Sequence, residues 1–257
     1  MPDNSTSIIA NENASLTIGQ DVEETTLQDM VRAGLIYGRK KSVTHPRMKP
    51  FIFGARNNIE IIDLSKTLEN LEKATKFLGE VVARKGNILF VGTHPGARES
   101  IEKIATKYSY PYVINRWLGG TLTNFNTINT RINYFKNLRD KEAKGELSKY
   151  TKKERVKFNK EIIRMRLLFG GLEKLTEQPA AVFIINAREH ETAVREARRM
   201  KVPIVALIST DQNPELIDYP IPGNDTSLSS IVWILNYIET ALVIPTPGVK
   251  QDIIQDN

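Results

Sequence analysis

The chain has 257 residues, of which 40% are hydrophobic and 26% charged, so it is long and apolar enough to bury a sizeable core. It contains no cysteine, which excludes disulfide bonds and thiolate metal sites, and its three histidines are scattered. No run of about 18 apolar residues occurs, and the first thirty residues carry six acids and no Lys or Arg, so we expect neither a membrane span nor a signal or transit peptide.

The net charge of +6 is distributed unevenly along the chain. Residues 1–30 sum to −6, residues 31–130 to +9, residues 131–174 to +8 and residues 175–257 to −5. A cationic middle between two acidic ends indicates a polyanionic partner such as a nucleic acid. The alternative is a solvated surface on which charges cluster by chance, and charge alone does not decide between the two.

Both ends are predicted to be tails. Residues 1–28 form an acidic, disordered tail in this prediction, because the first 24 residues are rich in Asn, Ser, Thr and acids and offer few large apolar groups for burial. Pro245, Pro247 and Gly248 end the last helical pattern, which predicts a flexible tail over residues 244–257.

A helix and a basic arm are expected over residues 29–57. Prolines and glycines make a helix unfavourable after Tyr37, so the arm is interpreted as irregular. Cations alternate there with aromatic rings, a pattern that suits RNA because cations neutralise phosphates and rings stack on unpaired bases. For Phe51 and Phe53, however, we expect the rings to anchor the arm to the domain. The candidate rRNA ligands of the arm are Arg39, Lys40, Lys41, His45, Arg47, Lys49 and Arg56.

Apolar runs of strand length alternate with helical patterns through most of the remaining chain. Strands are predicted over residues 87–92, 112–114, 180–185 and 203–208, and helices over 97–108 and 192–200. A last helix, capped by Asn224 or Asp225, is expected to run to about Val243. Strands that are apolar on both faces indicate a parallel sheet covered by helices. Residues 58–125 and 176–243 are therefore predicted to form one doubly wound α/β domain.

Residues 126–175 interrupt this alternation with two long helical patterns that meet at a polar turn around Gly145. Apolar residues recur every three or four positions in both, namely Phe125, Ile128, Ile132 and Phe135, then Phe158, Ile162, Met165, Phe169 and Leu172. We interpret these side chains as the seam of an inserted antiparallel helical hairpin, a coiled coil that they hold together. The candidate rRNA ligands on its outer side are Lys152, Lys153 and Lys157.

The loop over residues 115–124 follows the second predicted strand. Two adjacent glycines, a guanidinium and small polar groups make a loop that another backbone can approach closely. The candidate rRNA ligands are Arg116, Trp117, Thr121 and Asn124, and a buried, structural Trp117 is the alternative.

The turn from Gly92 to Gly96 lies where a dinucleotide-binding protein has its phosphate loop. It lacks the Gly-x-Gly-x-x-Gly spacing, and Pro95 removes a backbone donor, so a structural turn is favoured. The sequence has no recognisable nucleophile or acid–base set, and His190 is expected at a solvated helix start. We therefore expect no enzyme, and no cofactor, metal or small-molecule substrate.

Four stretches carry a resemblance to a known family: HPRMKPFIFGARNNIEIIDLSKT, ILFVGT, RWLGGTLTNF and LIDYPIPGND. Over Met30 to Val243 the chain resembles small-subunit ribosomal protein number two, the S-two family, in its bacterial form. The resemblance implies a flavodoxin-like parallel sheet with a protruding helical hairpin. It also implies binding to small-subunit rRNA and neighbouring ribosomal proteins, and a role in recruiting ribosomal protein number one.

Two positions depart from the family pattern. Bacterial members usually carry His-Phe-Gly-His where this chain has Ile36-Tyr37-Gly38-Arg39, and Gly-Thr-Lys where it has Gly92-Thr93-His94. Roles of those histidines and of that lysine are therefore not transferred.

Three hypotheses follow from the sequence. The first is a structural, rRNA-binding constituent of the small ribosomal subunit in a bacterial cytoplasm, with an organellar ribosome as the alternative location. The second is a nucleotide-dependent enzyme on the same fold, and the third is a free-standing RNA-binding regulator.

Overall fold

The structure, a computed structural model, describes residues 25–242. A first helix, α1, covers residues 25–32 and so begins within the segment predicted as the acidic tail. The next elements are β1 (Tyr37–Lys40), β2 (Ile52–Arg56), β3 (Ile59–Ile62), α2 (Leu64–Ala83), β4 (Ile88–Val91), α3 (Pro95–Lys107) and β5 (Tyr112–Val113). Then follow α4 (Phe125–Ala143), α5 (Lys152–Phe169), β6 (Ala181–Ile185), α6 (Glu191–Arg199), β7 (Ile204–Ile208), β8 (Tyr219–Pro222) and α7 (Leu228–Leu242).

Five strands form a parallel sheet in the order β5-β4-β6-β7-β8. This is the flavodoxin-like order, with the direction of winding reversed between β4 and β6. The central strands β4, β6 and β7 are buried along their whole length, which explains why they appear in the sequence as continuous apolar runs. The predicted α/β fold is confirmed, with the bounds of these strands within one residue of the prediction.

Alternate strand residues enter two separate hydrophobic clusters. Phe90, Phe183 and Leu207 pack with α2, α3 and α7 on one face of the sheet. Leu89 and Ile184 lie in the cluster on the other face, which also contains the buried side chains of α4, α5 and α6. The helices therefore cover both faces, as a doubly wound sheet requires.

The edge strand β8 was missing from the prediction because prolines obscure it. Pro220 and Pro222 both lie within the strand, which pairs with β7 alone. Proline is tolerated at a sheet edge because its missing N–H would face away from the ladder.

The arm is more regular than predicted. Strands β1 and β2 both pair with β3 in a three-stranded antiparallel sheet. Residues 41–51, which connect β1 to β2, contain two short 3-10 turns and no strand. Asn57 and Asn58 both have positive φ, 52° and 62°, and this conformation makes the tight turn that pairs β2 with β3. The two asparagines are the signal in the sequence that could have identified this hairpin.

The prediction that Phe51 and Phe53 both anchor the arm was half wrong. Phe51 is partly buried against the cluster that contains α4 to α6. Phe53 is 83% exposed, because it lies on the open face of β2.

Two helices occupy the predicted insertion, α4 and α5, separated by residues 144–151. Their buried residues include Ile132, Phe135, Ile162, Met165 and Phe169, all members of the predicted seam. These side chains belong to the hydrophobic cluster that also contains Leu89 and Ile184 of the sheet. The two helices contact each other directly. That the pair protrudes as a coiled coil stays a prediction.

The last helix begins later than predicted. It starts at Leu228, because the Asn224 side chain accepts hydrogen bonds from the N–H groups of Thr226 and Ser227 and forms a turn ahead of the helix. Residues 1–24 of the predicted N-terminal tail (1–28) and the whole predicted C-terminal tail (244–257) lie outside the described residues. None of the helices described over residues 25–242 is long and apolar enough to cross a membrane.

The shared cluster leads to a test on α4. Replacing Phe135, which is fully buried, by Ala should lower the free energy of unfolding by about 3–5 kcal/mol, because a cavity opens in this hydrophobic cluster. The matched control is Tyr134→Ala, whose ring is 41% exposed and whose loss should cost about 1 kcal/mol or less. Urea unfolding measures both, and equal effects would contradict the burial of Phe135 in this cluster.

Candidate nucleic-acid interface

The 115–124 loop is organised around one buried carboxylate. Glu196 lies on the inner face of α6, with 7% of its surface exposed. Its Oε1 accepts from the Trp117 indole N–H at 3.1 Å and the Gly120 N–H at 2.8 Å. Its Oε2 accepts from the Leu122 N–H at 3.0 Å and from both the N–H and the hydroxyl of Thr123. Five donors thus hold the loop in one conformation against α6.

These hydrogen bonds also determine the charge of Glu196. Burial acts to raise the pKa of its carboxyl group, but the bonds from Gly120, Trp117, Leu122 and Thr123 outweigh burial and lower the pKa below its ordinary value. The carboxylate therefore stays ionised at neutral pH, which strengthens every bond to the loop.

The four predicted ligands of this loop differ in accessibility. Arg116 and Asn124 are exposed, and Trp117 is half-buried with its N–H engaged by Glu196. Thr121 is fully buried, and its hydroxyl donates to the Leu118 carbonyl at 2.6 Å. Thr121 therefore has a structural role, and so does Trp117 through its bond to Glu196, whereas rRNA binding by Trp117 stays a prediction.

The arm is attached to the carboxyl edge of the parallel sheet. The His45 N–H donates to the Thr210 carbonyl at 2.8 Å, and the Arg39 N–H donates to the Thr210 hydroxyl at 2.8 Å. A Cβ on Gly38 would lie 2.6 Å from the Thr210 Cγ2, so only glycine permits this approach. Met48 is fully buried in the cluster of α4 to α6. The arm is thereby fixed to the domain at two points.

Arg39 differs from the other arm cations because it forms an internal ion pair. Its guanidinium donates to the Asp225 carboxylate at 2.9 Å and lies 3.8 Å from Asp211. Asp225 is fully buried and also accepts from the Gln212 amide at 2.6 Å. Burial raises the pKa of Asp225 to about 6, while the positive charge of Arg39 opposes this shift.

The remaining arm cations face outward. Lys40, Lys41, Lys49 and Arg56 are exposed. Arg47 is exposed too, with its guanidinium paired to Glu215. The His45 ring is half-buried, and its Nδ1 accepts from the Arg47 N–H at 3.2 Å.

The three candidate cations of the helical pair lie in the first two turns of α5. Lys152, Lys153 and Lys157 are all exposed. The helix start beneath them is well defined, because Thr151 and Glu154 form a reciprocal capping box. The 115–124 loop, the arm and the helical pair share one hydrophobic cluster through Leu122, Met48 and Phe135, so all three are anchored on the same side of the sheet.

His190 was predicted to lie at a solvated helix start, and that prediction was wrong. The residue is 3% exposed, although it directly precedes α6. Its Nε2 accepts from the Thr93 N–H at 3.3 Å, and burial lowers the pKa of the imidazole. The turn after β4 is equally structural, since a Cβ on Gly92 would lie 2.5 Å from the Ile101 Cδ1.

The sequence analysis did not predict that Glu196 holds the 115–124 loop. It assigned Asp225 only a helix-capping role and not the ion pair with Arg39. A signal for Glu196 exists in the sequence, because it falls on the helix face of Ala193 and Ala197, which are apolar and buried. No comparable pattern marks Asp225, since its partner Arg39 is 186 residues away along the chain.

The chain is similar to proteins of one family over nearly all of its described length. The model of the family described as Ribosomal protein S2 matches residues 30–244. A "Small ribosomal subunit protein uS2" from Roseiflexus castenholzii is 42% identical over 218 residues, which cover 85% of this chain and 83% of that protein. Proteins of the same name from Dehalococcoides mccartyi and Bdellovibrio bacteriovorus are 39% and 38% identical, each over 85% of this chain and over 89% and 70% of their own lengths.

The carboxylate at the centre of the loop can be tested by Glu196→Ala. This variant leaves one buried and four part-buried donors without their acceptor, so we expect it to lower the free energy of unfolding by about 3 kcal/mol or more. The control is Glu191→Ala on the same helix, which removes only the exposed ion pair with Arg195 and should cost about 1 kcal/mol or less. Urea unfolding compares the two, and a small loss in Glu196→Ala would show that the loop does not depend on this carboxylate.

A pH dependence follows from Asp225. Because its pKa rises from 3.8 to about 6 on folding, its contribution to stability is full below pH 3.8 and is lost as the pH rises through 6. Asp225→Asn has no such titration. The difference between its free energy of unfolding and that of the parent should therefore shift in favour of the variant by about 2–3 kcal/mol as the pH rises from 4 to 7. Urea unfolding at four pH values in this range measures the difference, and parallel curves would contradict a raised pKa.

Proposed function

Because the chain belongs to the ribosomal protein S2 family and is a structural constituent of the small ribosomal subunit in translation, we propose that it binds folded small-subunit rRNA mainly through phosphates. The observation that carries this proposal is the set of exposed cations on three segments anchored to one hydrophobic cluster. The mechanism is scaffolding, in which a rigid domain presents charges at fixed positions.

The arm supplies the densest group of cations. Lys40, Lys41, Lys49 and Arg56 are exposed on a small sheet that is itself hydrogen-bonded to the end of β7. A cation on a rigid support loses less conformational entropy on binding than one on a disordered tail, so each phosphate contact gains affinity. Phe53 is exposed on the same sheet and is available to stack on an unpaired base.

The loop and the helical pair extend this surface. Arg116 projects from a loop that Glu196 holds in place, and Asn124 lies at the start of α4. Lys152, Lys153 and Lys157 offer three further phosphate ligands on α5. Thr121 is excluded from the set because it is buried, and Arg39 contributes mainly by fixing the arm.

We propose further that the chain catalyses no reaction. The backbone N–H of Thr93, which a phosphate loop would offer to a nucleotide, donates to His190, and Gly92 is needed for packing. In the described residues no group of three or more His, Asp or Glu side chains is placed to hold a metal ion. Purified protein should accordingly show no saturable binding of NAD, FMN or ATP at physiological concentrations.

The partners are small-subunit rRNA and neighbouring ribosomal proteins. We propose ribosomal protein number one as one of these neighbours, and the bacterial cytoplasm as the location of the ribosome, because the similar proteins come from bacteria. Co-sedimentation with small subunits at equal stoichiometry separates this function from that of a free-standing regulator.

Phosphate binding by the arm predicts a specific salt dependence. Replacing Lys40, Lys41, Lys49 and Arg56 together by Ala should weaken binding to small-subunit rRNA and flatten its dependence on log salt by about 0.7–0.9 for each phosphate that the arm no longer neutralises. Filter binding between about 50 and 200 mM salt measures this slope.

The matched control removes the same charge from the other face of the sheet. Lys73, Lys76, Arg84 and Lys103 are exposed on α2 and α3, or directly after α2, and their replacement by Ala should leave the slope close to that of the parent. Equal slopes in both variants would show that net charge, and not the arm, determines RNA binding.

A further inference from the structure

A polar pocket lies at the switch point of the parallel sheet, apart from the arm. It has a volume of about 460 Å³, and its lining includes Thr93, which follows β4, and Glu189 and His190, which follow β6. These two strands are neighbours, and the direction of winding reverses between them. Open α/β sheets bind ligands at such a point, outside the carboxyl ends of the strands. The pocket therefore occupies the position at which this type of fold takes a ligand.

One buried side chain in the pocket offers a hydrogen-bond donor that has no acceptor. His190 is 3% exposed, and its Nε2 accepts from the Thr93 N–H at 3.3 Å. Burial lowers the pKa of the imidazole, so the ring is neutral at pH 7 and carries its proton on Nδ1.

This Nδ1–H points into the pocket. Among the described residues it has no hydrogen-bond partner, and the side-chain atoms that lack both a partner and access to solvent are the Arg39 Nε and the Asp211 Oδ1 alone. The His190 Nδ1 therefore has access to solvent, and the space that His190 lines is this pocket. Buried polar groups are nearly always hydrogen-bonded, so the free donor indicates an acceptor that arrives with a ligand.

The N-terminus of α6 lies at the same pocket. His190 directly precedes this nine-residue helix, and Thr192 of its first turn lines the pocket. No side chain of the described residues caps the helix. The first N–H groups of a helix have no acceptor within it and carry a partial positive charge, so they bind anions. Together with the His190 Nδ1–H they form a set of donors suited to an oxyanion.

The cations around the pocket also favour an anion. Arg116 lines the pocket and is exposed. Arg98 is exposed on α3 beside it, and its Nε donates to the Thr93 carbonyl at 2.8 Å. Guanidinium groups bind phosphate oxygens well because their N–H groups are arranged in a planar fork.

Two carboxylates near the pocket oppose these cations only in part. Glu189 accepts from the Thr93 hydroxyl at 2.8 Å, and Glu191 forms an ion pair with Arg195 at 2.7 Å. Three guanidinium groups therefore stand against two carboxylates, and the balance of charge around the pocket is positive.

Trp117 indicates that the anion belongs to a nucleic acid. Its half-buried ring lines the pocket, and the bond from its indole N–H to Glu196 fixes the plane of the ring. Aromatic rings of this kind pack against the bases of an unpaired RNA strand. A strand whose phosphate enters the pocket would place its next nucleotide beside this ring.

We propose that the pocket binds one backbone phosphate of the small-subunit rRNA. The phosphate accepts from the His190 Nδ1–H and the N-terminus of α6, and Arg116 neutralises its charge. The proposal rests on the proposed function and adds to it a phosphate site at the sheet itself, where a neutral, buried donor acts beside the outer cations. A free phosphate ion would use the same donors, and the test separates the two sources.

The test uses small subunits reconstituted from the full chain and from rRNA that carries phosphorothioate groups at random positions. Iodine cleaves this RNA where protein does not shield the group. His190→Gln keeps an acceptor for the Thr93 N–H but has no donor at the position of Nδ1, and Arg116→Gln removes an exposed cation. The matched controls are His94→Asn, which keeps a capping side chain for α3, and Arg84→Gln, directly after α2.

We expect one phosphate to be shielded in subunits with the parent and with both controls, and to be cleaved in subunits with His190→Gln and with Arg116→Gln. In filter binding, Arg116→Gln should weaken the affinity for rRNA about 10-fold or more and flatten its dependence on log salt by about 0.7–0.9, the value for one phosphate. His190→Gln should weaken it about 5-fold at an unchanged slope, because a neutral donor releases no counterion.

The possible contrary results are distinct. Cleavage equal to that of the parent in both variants would exclude an rRNA phosphate from the pocket and leave the proposed function intact. If, in addition, inorganic phosphate at physiological concentration shifts the His190 ring signals in NMR spectra of the free protein, the pocket takes a free anion instead. If His190→Gln does not enter subunits, Arg116→Gln decides by the same cleavage. Failure of the parent itself to enter small subunits would overturn the proposed function.

Discussion

The Glu196 carboxylate accepts hydrogen bonds from five donors of one loop, and much of the molecule's exposed chemistry depends on that arrangement. Arg116 projects outward from this loop, and the loop leads directly into α4. By holding Gly120 to Thr123, Glu196 therefore fixes the point at which the helical pair begins. An ionised carboxylate is well suited to this task because its two oxygens accept several bonds in different directions, whereas an apolar side chain would leave each N–H unpaired.

A second polar group performs the corresponding task for the arm. Arg39 connects β1 to Asp225, which lies ahead of α7, and Gln212 joins the same carboxylate from the end of β7. Pairing of this kind stabilises little in net terms, because the cost of removing charges from water offsets much of their attraction. The effect of the Arg39–Asp225 pair is instead to fix a position. The buried Asp225 carboxylate needs the Arg39 charge beside it, and this requirement holds the arm in one place.

Both polar groups lie at the carboxyl edge of the parallel sheet, where this type of fold commonly binds its ligands. In this chain its own side chains occupy that edge. His190 accepts a hydrogen bond from the Thr93 N–H, and Glu196 accepts hydrogen bonds from the 115–124 loop. The fold therefore uses its usual ligand-binding edge to support structures that reach outward, which is the requirement of a scaffold. Fold alone does not imply this use, and the identity of the side chains at the edge decides it.

The sequence by itself determined the elements whose pattern is local. Continuous apolar runs identified β4, β6 and β7, the repeat of three and four identified α4 and α5, and motifs identified the family. It also located the cationic segments, because charge density needs no knowledge of the fold.

Only the tertiary structure decided which of these residues face solvent. Thr121 and His190 are buried, Phe53 is exposed, and Arg39 is paired internally, although each lies in a segment of suitable composition. The physical reason is that a side chain's environment depends on partners far away in sequence: Asp225 is 186 residues from Arg39, and Glu196 is 76 residues from Gly120. The periodicity of a sequence indicates on which face of its own helix or strand a side chain lies. Which groups pack against that face depends on the fold of the whole domain.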